Sequence, residues 1–150
     1  MQIKIATTVG TPFKKVFQLF TKELFIKLSP PFPRLKLLRF DGSNKQDHVA
    51  VELDFWLFKQ QWESVITEKK ENKDEIYFID EGIKLPFFLK KWRHKHRIIR
   101  KDNQQAEIID EIEFETPFKP LDILLYPILY FQFAYRKPIY QKVFGKEKSA

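Results

Sequence analysis

Cysteine is absent from this sequence, and glycine occurs only four times. Without cysteine there can be no disulfide framework, no zinc–thiolate site and no thiol nucleophile. The four glycines form no phosphate-binding loop, and no serine lies in a G-x-S-x-G motif. These absences argue against a phosphate-loop nucleotide hydrolase, a Rossmann oxidoreductase and a hydrolase with an elbow serine.

Long apolar runs are lacking as well. The N-terminus, MQIKIATTVG, has no uninterrupted apolar core of the kind that signal peptides carry. The longest apolar tract, Leu121 to Tyr135, contains Asp122, Pro127 and Gln132, and it is shorter than the ~20 residues that cross a bilayer. We therefore expect a soluble, cytoplasmic protein, and no motif calls for a cofactor.

Aromatic side chains and positive charge are what the sequence has in excess. Phenylalanine alone supplies 16 residues, apolar residues make up 43%, and 27 basic against 20 acidic residues give a net charge of +7. So much apolar surface offsets the entropy cost of folding, which excludes disorder. The length predicts one domain, residues 1–150, that buries roughly two thirds of its unfolded surface.

The pattern of hydrophobicity predicts strands over most of the chain. Ile3, Ile5 and Thr7 alternate with polar or small residues, and Thr11-Pro12 then indicates the start of a helical segment that ends before the prolines at 30, 31 and 33. Six short strands follow between Leu35 and Glu115. We place their turns at Asp41-Gly42, Lys59-Gln60, Glu71 to Asp74, Gly82 to Pro86 and Asp102-Asn103, which is typical of an antiparallel meander.

A long apolar helix is predicted at the C-terminal end. Thr116-Pro117 repeats the helix-start signal, the helix runs from Leu121 to Phe144 with kinks at Pro127 and Pro138, and Gly145 ends it. The predicted fold is therefore α+β: a curved antiparallel sheet of about seven strands wrapped around a long C-terminal helix, with one or two short helices after strand 1. Such an arrangement leaves a cavity between sheet and helix.

Three short stretches carry a family resemblance. They are Leu85-Pro86-Phe87-Phe88, then Trp92-Arg93-His94-Lys95-His96, then Ile109-Asp110-Glu111-Ile112. Together they resemble the GPF…W-x-H-x-H…D pattern of a bacterial group in the SRPBCC superfamily, whose helix-grip fold also occurs in START lipid-transfer domains, birch-pollen-type allergens and polyketide cyclases. Leucine stands here where that group often has glycine. The resemblance implies binding of a hydrophobic or amphipathic small molecule.

Strand alternation brings three titratable residues onto the inner face of the sheet. Pairing Arg93, Lys95 and Arg97 with the glutamates of the next strand places His94, His96 and Asp110 together on the opposite, apolar face. One interpretation is that these groups satisfy one another as buried polar residues. They could also orient the polar head of a ligand, or act in general acid–base catalysis, with Asp110 fixing the tautomer of a histidine.

A metal site is the least favoured interpretation of the same three residues. Two histidines and a carboxylate suit a metal, and H-x-H opens the cupin motif, but the glutamate that follows in that motif is missing. We therefore predict no metal. The main functional hypothesis is binding of a hydrophobic or lipid-like molecule, and the alternative is a small enzyme of cyclase or dehydratase type.

Other residues are predicted to line the same cavity. By alternation, Trp62 shares a face with Ser64, and Phe78 shares a face with Asp80. The complete predicted ligand-binding set is Trp62, Ser64, Phe78, Asp80, Trp92, His94, His96, Asp110, Tyr126 and Tyr130. Each of these aromatic rings could equally serve as core, and the tyrosines could reach solvent.

Free positive charge is expected at two places. Lys90 and Lys91 follow the apolar loop Leu85 to Leu89, and the C-terminal segment carries Lys137, Lys142, Lys146 and Lys148. These lysines could attract an anionic membrane to the mouth of the cavity, with the apolar loop as an insertion tip or lid. The loop could also pack on the helix. Nucleic-acid binding is not expected, because the hairpin glutamates already match several of the basic residues.

Overall fold

The computed structural model describes residues 1–147 and contains seven strands and four helices. In chain order these are β1 (Gln2–Val9), α1 (Phe13–Gln18), α2 (Lys22–Lys27), β2 (Arg34–Phe40), β3 (His48–Asp54), β4 (Lys59–Glu71), β5 (Glu75–Lys84), β6 (Lys91–Arg100), β7 (Ala106–Glu115), α3 (Lys119–Ala134) and α4 (Arg136–Phe144).

All seven strands belong to one antiparallel sheet. Its order is β1-β7-β6-β5-β4-β3-β2, so strands 2 to 7 form a continuous meander and β1 joins the edge beside β7. The helices cover one face of this sheet, with α4 against β1 and α3 against β1 and β7. The predicted α+β architecture with a curled sheet, a long C-terminal helical segment and short helices after strand 1 is confirmed.

Strand alternation in the β6–β7 hairpin follows the prediction. In β6 the buried residues are Trp92, His94, His96 and Ile98, and the residues between them are more exposed. Arg93 lies opposite Glu113, and Lys95 lies opposite Glu111. The charged residues therefore share the outer face, and the histidines face the helices.

The turn between β3 and β4 lies earlier than predicted. Lys59 and Gln60 already belong to β4, and the turn is made by Phe55 to Phe58. Trp56 adopts a positive φ of 73°, its backbone N–H donates to Asp54 Oδ1 at 2.8 Å, and the Phe55 N–H donates to the Phe58 carbonyl at 2.9 Å. The prediction was wrong because four consecutive apolar residues were taken for the end of a strand.

The first helical segment is divided into two short helices. Thr11, at the predicted helix start, does not cap α1; its hydroxyl donates instead to the Phe144 carbonyl at 2.5 Å and ties the start of α1 to the end of α4. Thr21 caps α2 by accepting from the Leu24 N–H at 3.4 Å. The segment is therefore interrupted around Leu19 and Phe20, where the chain turns.

The C-terminal helix is also interrupted. It begins at Lys119, breaks at Tyr135 and resumes as α4 to Phe144, with Gly145 at a φ of 85° ending it as predicted. Pro138 accounts for the break, because a proline ring clashes with the carbonyl four residues earlier, here that of Ala134, and has no N–H to donate. Within residues 1–147, no helix combines the length and apolar character needed to cross a membrane.

Candidate functional site

A cavity of about 640 Å³ lies between the concave face of the sheet and the helices. Strands β2 to β6, helices α2 and α3, and the start of α4 contribute to its walls, which are mainly aliphatic and aromatic. Seven of the ten predicted ligand-binding residues line it: Trp62, Ser64, Phe78, Asp80, Trp92, His94 and His96.

The other three predicted residues do not line the cavity within the described part of the chain. Asp110 is 2% exposed and lies behind the two histidines. Tyr126 and Tyr130 stack on each other on α3, with ring centroids 6.4 Å apart. The side of α3 that faces the cavity carries Leu121, Leu125 and Leu129 at helical spacing, and the two tyrosines fall on another side.

Four charged or titratable side chains meet on the sheet beside the cavity. His94 Nε2 lies 2.9 Å from Asp110 Oδ1, and His94 Nδ1 lies 3.4 Å from Asp80 Oδ2. His96 faces the same two carboxylates, with Nδ1 3.3 Å from Asp110 Oδ1 and Nε2 3.5 Å from Asp80 Oδ2. The two imidazoles thus lie between a carboxylate at the cavity and a carboxylate in the core.

Register explains why this cluster forms. Asp80 of β5 lies directly opposite His94, and Asp110 of β7 lies directly opposite His96. Because alternate residues of a strand share a face, His94 and His96 both point inward, and each comes within reach of both carboxylates. The sequence placed Asp80 on the inner face without joining it to the histidines, because the β5–β6 register depends on the loop between them.

Two tryptophans hold the polar groups at the cavity wall. Trp92 Nε1 donates to Asp80 Oδ1 at 3.1 Å, and Trp62 Nε1 donates to Ser64 Oγ at 3.1 Å. The two rings meet edge to face with centroids 4.7 Å apart. The oxygens of Asp80 and Ser64 are therefore fixed in orientation by a rigid aromatic pair.

The cluster holds opposite charges. Burial by itself would raise the pKa of Asp110 and of Asp80, but the facing imidazoles of His94 and His96 outweigh it and hold both values well below the ordinary range. Burial would likewise lower the pKa of His94, but the carboxylates of Asp110 and Asp80 raise it instead. The two carboxylates therefore favour the protonated form of His94.

Two further residues of α4 belong to this site and were not predicted. Arg136 Nη1 lies 3.7 Å from Asp110 Oδ1, and its guanidinium lies over the Phe133 ring at 4.3 Å from the centroid. The Tyr140 hydroxyl is buried without a hydrogen bond in residues 1–147, and burial, with Asp110 adding to it, raises the pKa of Tyr140. A signal existed for Arg136, because it continues the i, i+4, i+7 spacing of Leu129 and Phe133.

Aromatic residues surround one part of the cavity wall and extend to solvent. Phe55, Phe58, Phe87 and Phe88 line the cavity and contact one another, with neighbouring ring centroids 5.0 to 5.8 Å apart. We call the two segments that carry them, 55–58 and 85–89, the aromatic rim. Trp56 is 88% exposed, Leu57 85% and Phe87 68%. The run Phe55-Trp56-Leu57-Phe58 just before Lys59 was the sequence signal for the unpredicted half of this rim.

The C-terminal lysines lie elsewhere. Lys146 forms a β-bridge with Val9, and Val9 pairs with Ala106, the first residue of β7. Lys91 pairs with Glu115, the last residue of the same strand. A ten-residue strand spans about 30 Å, so Lys146 is far from Lys90 and Lys91. Lys142 lies in the last turns of α4, and Lys148 is outside the described residues.

No protein-family model and no curated protein sequence matches the chain. Solved structures do match it. The Zhui aromatase/cyclase of Streptomyces sp. R1128 aligns with a TM-score of 0.71 at 11% identity, covering 95% of this chain and 92% of that one. Norcoclaurine synthase of Thalictrum flavum, in complex with dopamine and hydroxybenzaldehyde, gives 0.67 at 10% identity, covering 100% and 89%.

A START superfamily protein of Mycobacterium smegmatis is similar to the same extent, with a TM-score of 0.66 at 10% identity over 95% of this chain and 98% of that one. These structures share the curled seven-stranded sheet and the long C-terminal helical segment. The chain therefore has the helix-grip fold of START-type and SRPBCC proteins. Identities of this size establish the fold, and the GPF…W-x-H-x-H…D resemblance stays a prediction from the sequence.

Proposed function

We propose that the protein binds a hydrophobic or amphipathic small molecule in the cavity between the sheet and the C-terminal helices. The observation that carries the proposal is the cavity itself: about 640 Å³, with mainly apolar walls and a few polar groups held in fixed orientation. Ligand pockets typically measure ~300–1,000 Å³ and have this composition. The apolar body of the ligand would contact side chains such as Val51, Leu53 and Leu125.

The charge of the cluster bears on the polar part of that ligand. Two carboxylates, Asp80 and Asp110, already have facing partners in His94 and the Arg136 guanidinium. Because these groups already interact with one another, an ionic head group brought into the cavity would find no free charged partner among them. The protein alone therefore suits a ligand with a neutral polar group, such as a hydroxyl or carbonyl, near Ser64 and the histidines.

Binding of a neutral fluorescent probe tests the cavity. N-phenyl-1-naphthylamine should bind the wild-type protein with increased fluorescence, and Leu125→Trp, which fills the cavity from α3, should weaken binding at least tenfold. Ile123→Trp is the matched control, because Ile123 lies on the same helix and is exposed to solvent. Equal binding by both variants would contradict the proposal. Native mass spectrometry of the purified protein would show whether an apolar molecule is carried with it.

We propose further that the aromatic rim contacts an anionic membrane. Trp56, Leu57 and Phe87 form an exposed apolar tip, and the exposed lysines Lys59, Lys84 and Lys90 lie within or next to the two rim segments. Apolar tips flanked by lysines suit insertion among anionic lipid head groups. The contact would place the aromatic wall of the cavity at the bilayer, where a lipid-like ligand could enter.

Vesicle sedimentation tests the membrane contact. The wild-type protein should sediment with phosphatidylglycerol-containing vesicles and not with pure phosphatidylcholine. The double change Trp56→Ser and Leu57→Ser should reduce the bound fraction at least fivefold, and Leu38→Ser, at an exposed position on β2, should leave it unchanged. Sedimentation that is absent, or equal for the two variants, would sink this part of the proposal.

The geometry supports the enzyme alternative less directly than ligand binding, because His94 faces a carboxylate at each of its ring nitrogens. A general base needs an imidazole nitrogen that can accept a proton from the substrate. His96 Nε2 lies 3.5 Å from Asp80 Oδ2, too far for a hydrogen bond, and His96 lines the cavity, so this residue is the candidate base of that alternative.

A further inference from the structure

Three side chains on the concave face present one ligand atom each to a common point. They are Asp80 of β5 and His94 and His96 of β6, and their ligand atoms all lie within 4.8 Å of one another. We propose that these three residues bind a divalent first-row transition-metal ion at the wall of the cavity. The sequence makes a metal at His94, His96 and Asp110 the least favoured interpretation, and we predict none from it; the carboxylate that completes the set in the structure is Asp80, which comes from the neighbouring strand β5.

The spacing of the three atoms fits an ion better than it fits hydrogen bonds. Asp80 Oδ2 lies 3.4 Å from His94 Nδ1 and 3.5 Å from His96 Nε2. Hydrogen bonds between nitrogen and oxygen measure about 2.7–3.2 Å. Ligand atoms at roughly 2.0–2.1 Å from a tetrahedral zinc ion are about 3.4 Å apart. The two measured edges therefore match neighbouring positions of a tetrahedral site.

The carboxylate behind the two histidines orients one of them for metal binding. Asp110 Oδ1 lies 2.9 Å from His94 Nε2 and 3.3 Å from His96 Nδ1, which are the ring nitrogens that point away from Asp80. The hydrogen bond between His94 and this buried carboxylate orients the His94 imidazole so that Nδ1 faces the proposed ion, whereas His96 Nδ1 is buried without a hydrogen bond in residues 1–147. Metal-binding histidines commonly give their second nitrogen to a carboxylate in this way, and its loss typically weakens binding 10- to 100-fold.

The carboxylate ligand is supported as well. Trp92 Nε1 donates to Asp80 Oδ1 at 3.1 Å, so the other oxygen, Oδ2, is directed to the histidines. Arg136, 3.7 Å from Asp110, compensates the charge of the carboxylate behind the histidines. Asp80 and His94, two of the three proposed ligands, therefore each have a hydrogen-bonding partner that orients them.

The proposed site has an open side. Asp80, His94 and His96 all line the cavity, so a fourth position on the ion would face it. Two nitrogens and one oxygen suit zinc, cobalt, nickel or iron, whereas magnesium and calcium prefer oxygen ligands throughout. With a divalent ion and neutral imidazoles the cluster has one excess positive charge, so the loaded protein would favour an anionic oxygen at that position.

Metal titration of the untagged full chain tests the proposal with the metal alone. Cobalt(II) should bind one equivalent per chain and give the visible absorption of a tetrahedral site, and zinc should displace it. His96→Gln and Asp80→Asn should each weaken binding at least 100-fold. His48→Ala is the matched control, because it removes the remaining histidine, which pairs with Glu63 on another part of the sheet, and should leave binding unchanged.

A positioning role for Asp110 has its own readout. Asp110→Asn keeps all three ligands, so it should weaken cobalt binding 10- to 100-fold while the tetrahedral spectrum is retained at saturation. If the variants fail to fold, X-ray absorption of the zinc-loaded wild-type protein decides, and scattering from two imidazoles is expected. Less than one equivalent bound, binding lost equally in His48→Ala, or a spectrum without imidazole scattering would overturn the proposal. The test does not depend on the cavity ligand.

Discussion

The two faces of the β6–β7 hairpin carry charges at alternating positions of the same strands, but under different conditions. On the outer face, Arg97 contacts Glu75 at 2.6 Å and Glu111 at 2.8 Å, with all three side chains 21–32% exposed. On the inner face, His94 and Asp110 are 2.9 Å apart with side chains 4% and 2% exposed. The chemistry is similar, and the access to water is different.

This difference determines how much folding stability is lost when a charged group loses its partner. A charge that loses its partner on the outer face is rehydrated, so the loss is small. A charge that loses its partner on the inner face stays in a low-dielectric region without compensation. The outer ion pairs therefore mainly set the strand register. The inner cluster keeps buried charged groups that lower stability unless they stay paired, and a purely apolar core would not need them.

The largest effect is expected for Asp110→Ala. This change leaves His94 and the Arg136 guanidinium without their shared carboxylate, and breaking a buried pair typically costs about 3–5 kcal/mol. Glu111→Ala, at the next position on the outer face, should cost no more than about 1 kcal/mol. Urea unfolding followed by circular dichroism measures both. Equal losses would remove the distinction between the two faces.

A smaller effect, with a salt dependence, is expected for Arg97→Ala. The two glutamates that hold Arg97 raise its pKa, but the site is partly exposed, so the free energy of unfolding should fall by about 1 kcal/mol. In 1 M NaCl the difference from wild type should shrink, because screening reduces exposed pairs more than buried ones. The Asp110→Ala loss should stay nearly constant with salt, and a parallel decline of both would contradict the comparison.

Much of this contrast follows from the sequence. Alternation in β6, together with complementary charges in β7, was enough to put His94, His96 and Asp110 on one face and Arg93 and Arg97 on the other. Alternation along a strand depends only on neighbouring residues, so it can be predicted without knowledge of the fold. The order of elements, and hence the fold, was predictable for the same reason.

What the sequence could not supply depends on contacts between distant segments. The approach of Asp80 depends on the β5–β6 register, and the approach of Arg136 depends on how α4 turns after the break at Tyr135. The aromatic rim was half missed, because the run Phe55 to Phe58 has the hydrophobicity of a strand and the conformation of a turn. Tyr126 and Tyr130 were misplaced because α3 is apolar nearly all round, which leaves its rotation about its axis undetermined.

A still smaller effect is expected for Lys95→Gln, between the two arginines on the outer face. Lys95 lies opposite Glu111, yet its nearest described charge interaction is with the Tyr77 ring, with Nζ 4.1 Å from the centroid. Exposed interactions of this kind contribute about 0.5–1 kcal/mol, so a loss near 0.5 kcal/mol is expected. Once Lys95 is replaced by Gln, Tyr77→Leu should cause no further loss of stability from the interaction between Lys95 and the Tyr77 ring. Unfolding curves of the two single variants and the double variant measure this coupling.

The smallest effect is expected for Tyr140→Phe, which removes from the inner face a polar group with no hydrogen-bonding partner in the described part of the chain, instead of breaking a pair there. The Tyr140 ring is 1% exposed and stacks against Phe20 and Phe144, but its hydroxyl is buried without a hydrogen bond in residues 1–147. A buried hydroxyl that lacks a partner destabilises the folded state, so its removal should leave the free energy of unfolding unchanged or raise it by up to about 1 kcal/mol.

Tyr140→Ala is the matched comparison, because it removes the ring and should cost about 3–5 kcal/mol. A loss above about 1 kcal/mol in Tyr140→Phe would show that the hydroxyl has a partner, of which Arg136 is the nearest candidate. The inner cluster would then extend onto α4 as a hydrogen-bonded network, and the contrast between the two faces would be larger than the contact between His94 and Asp110 alone implies.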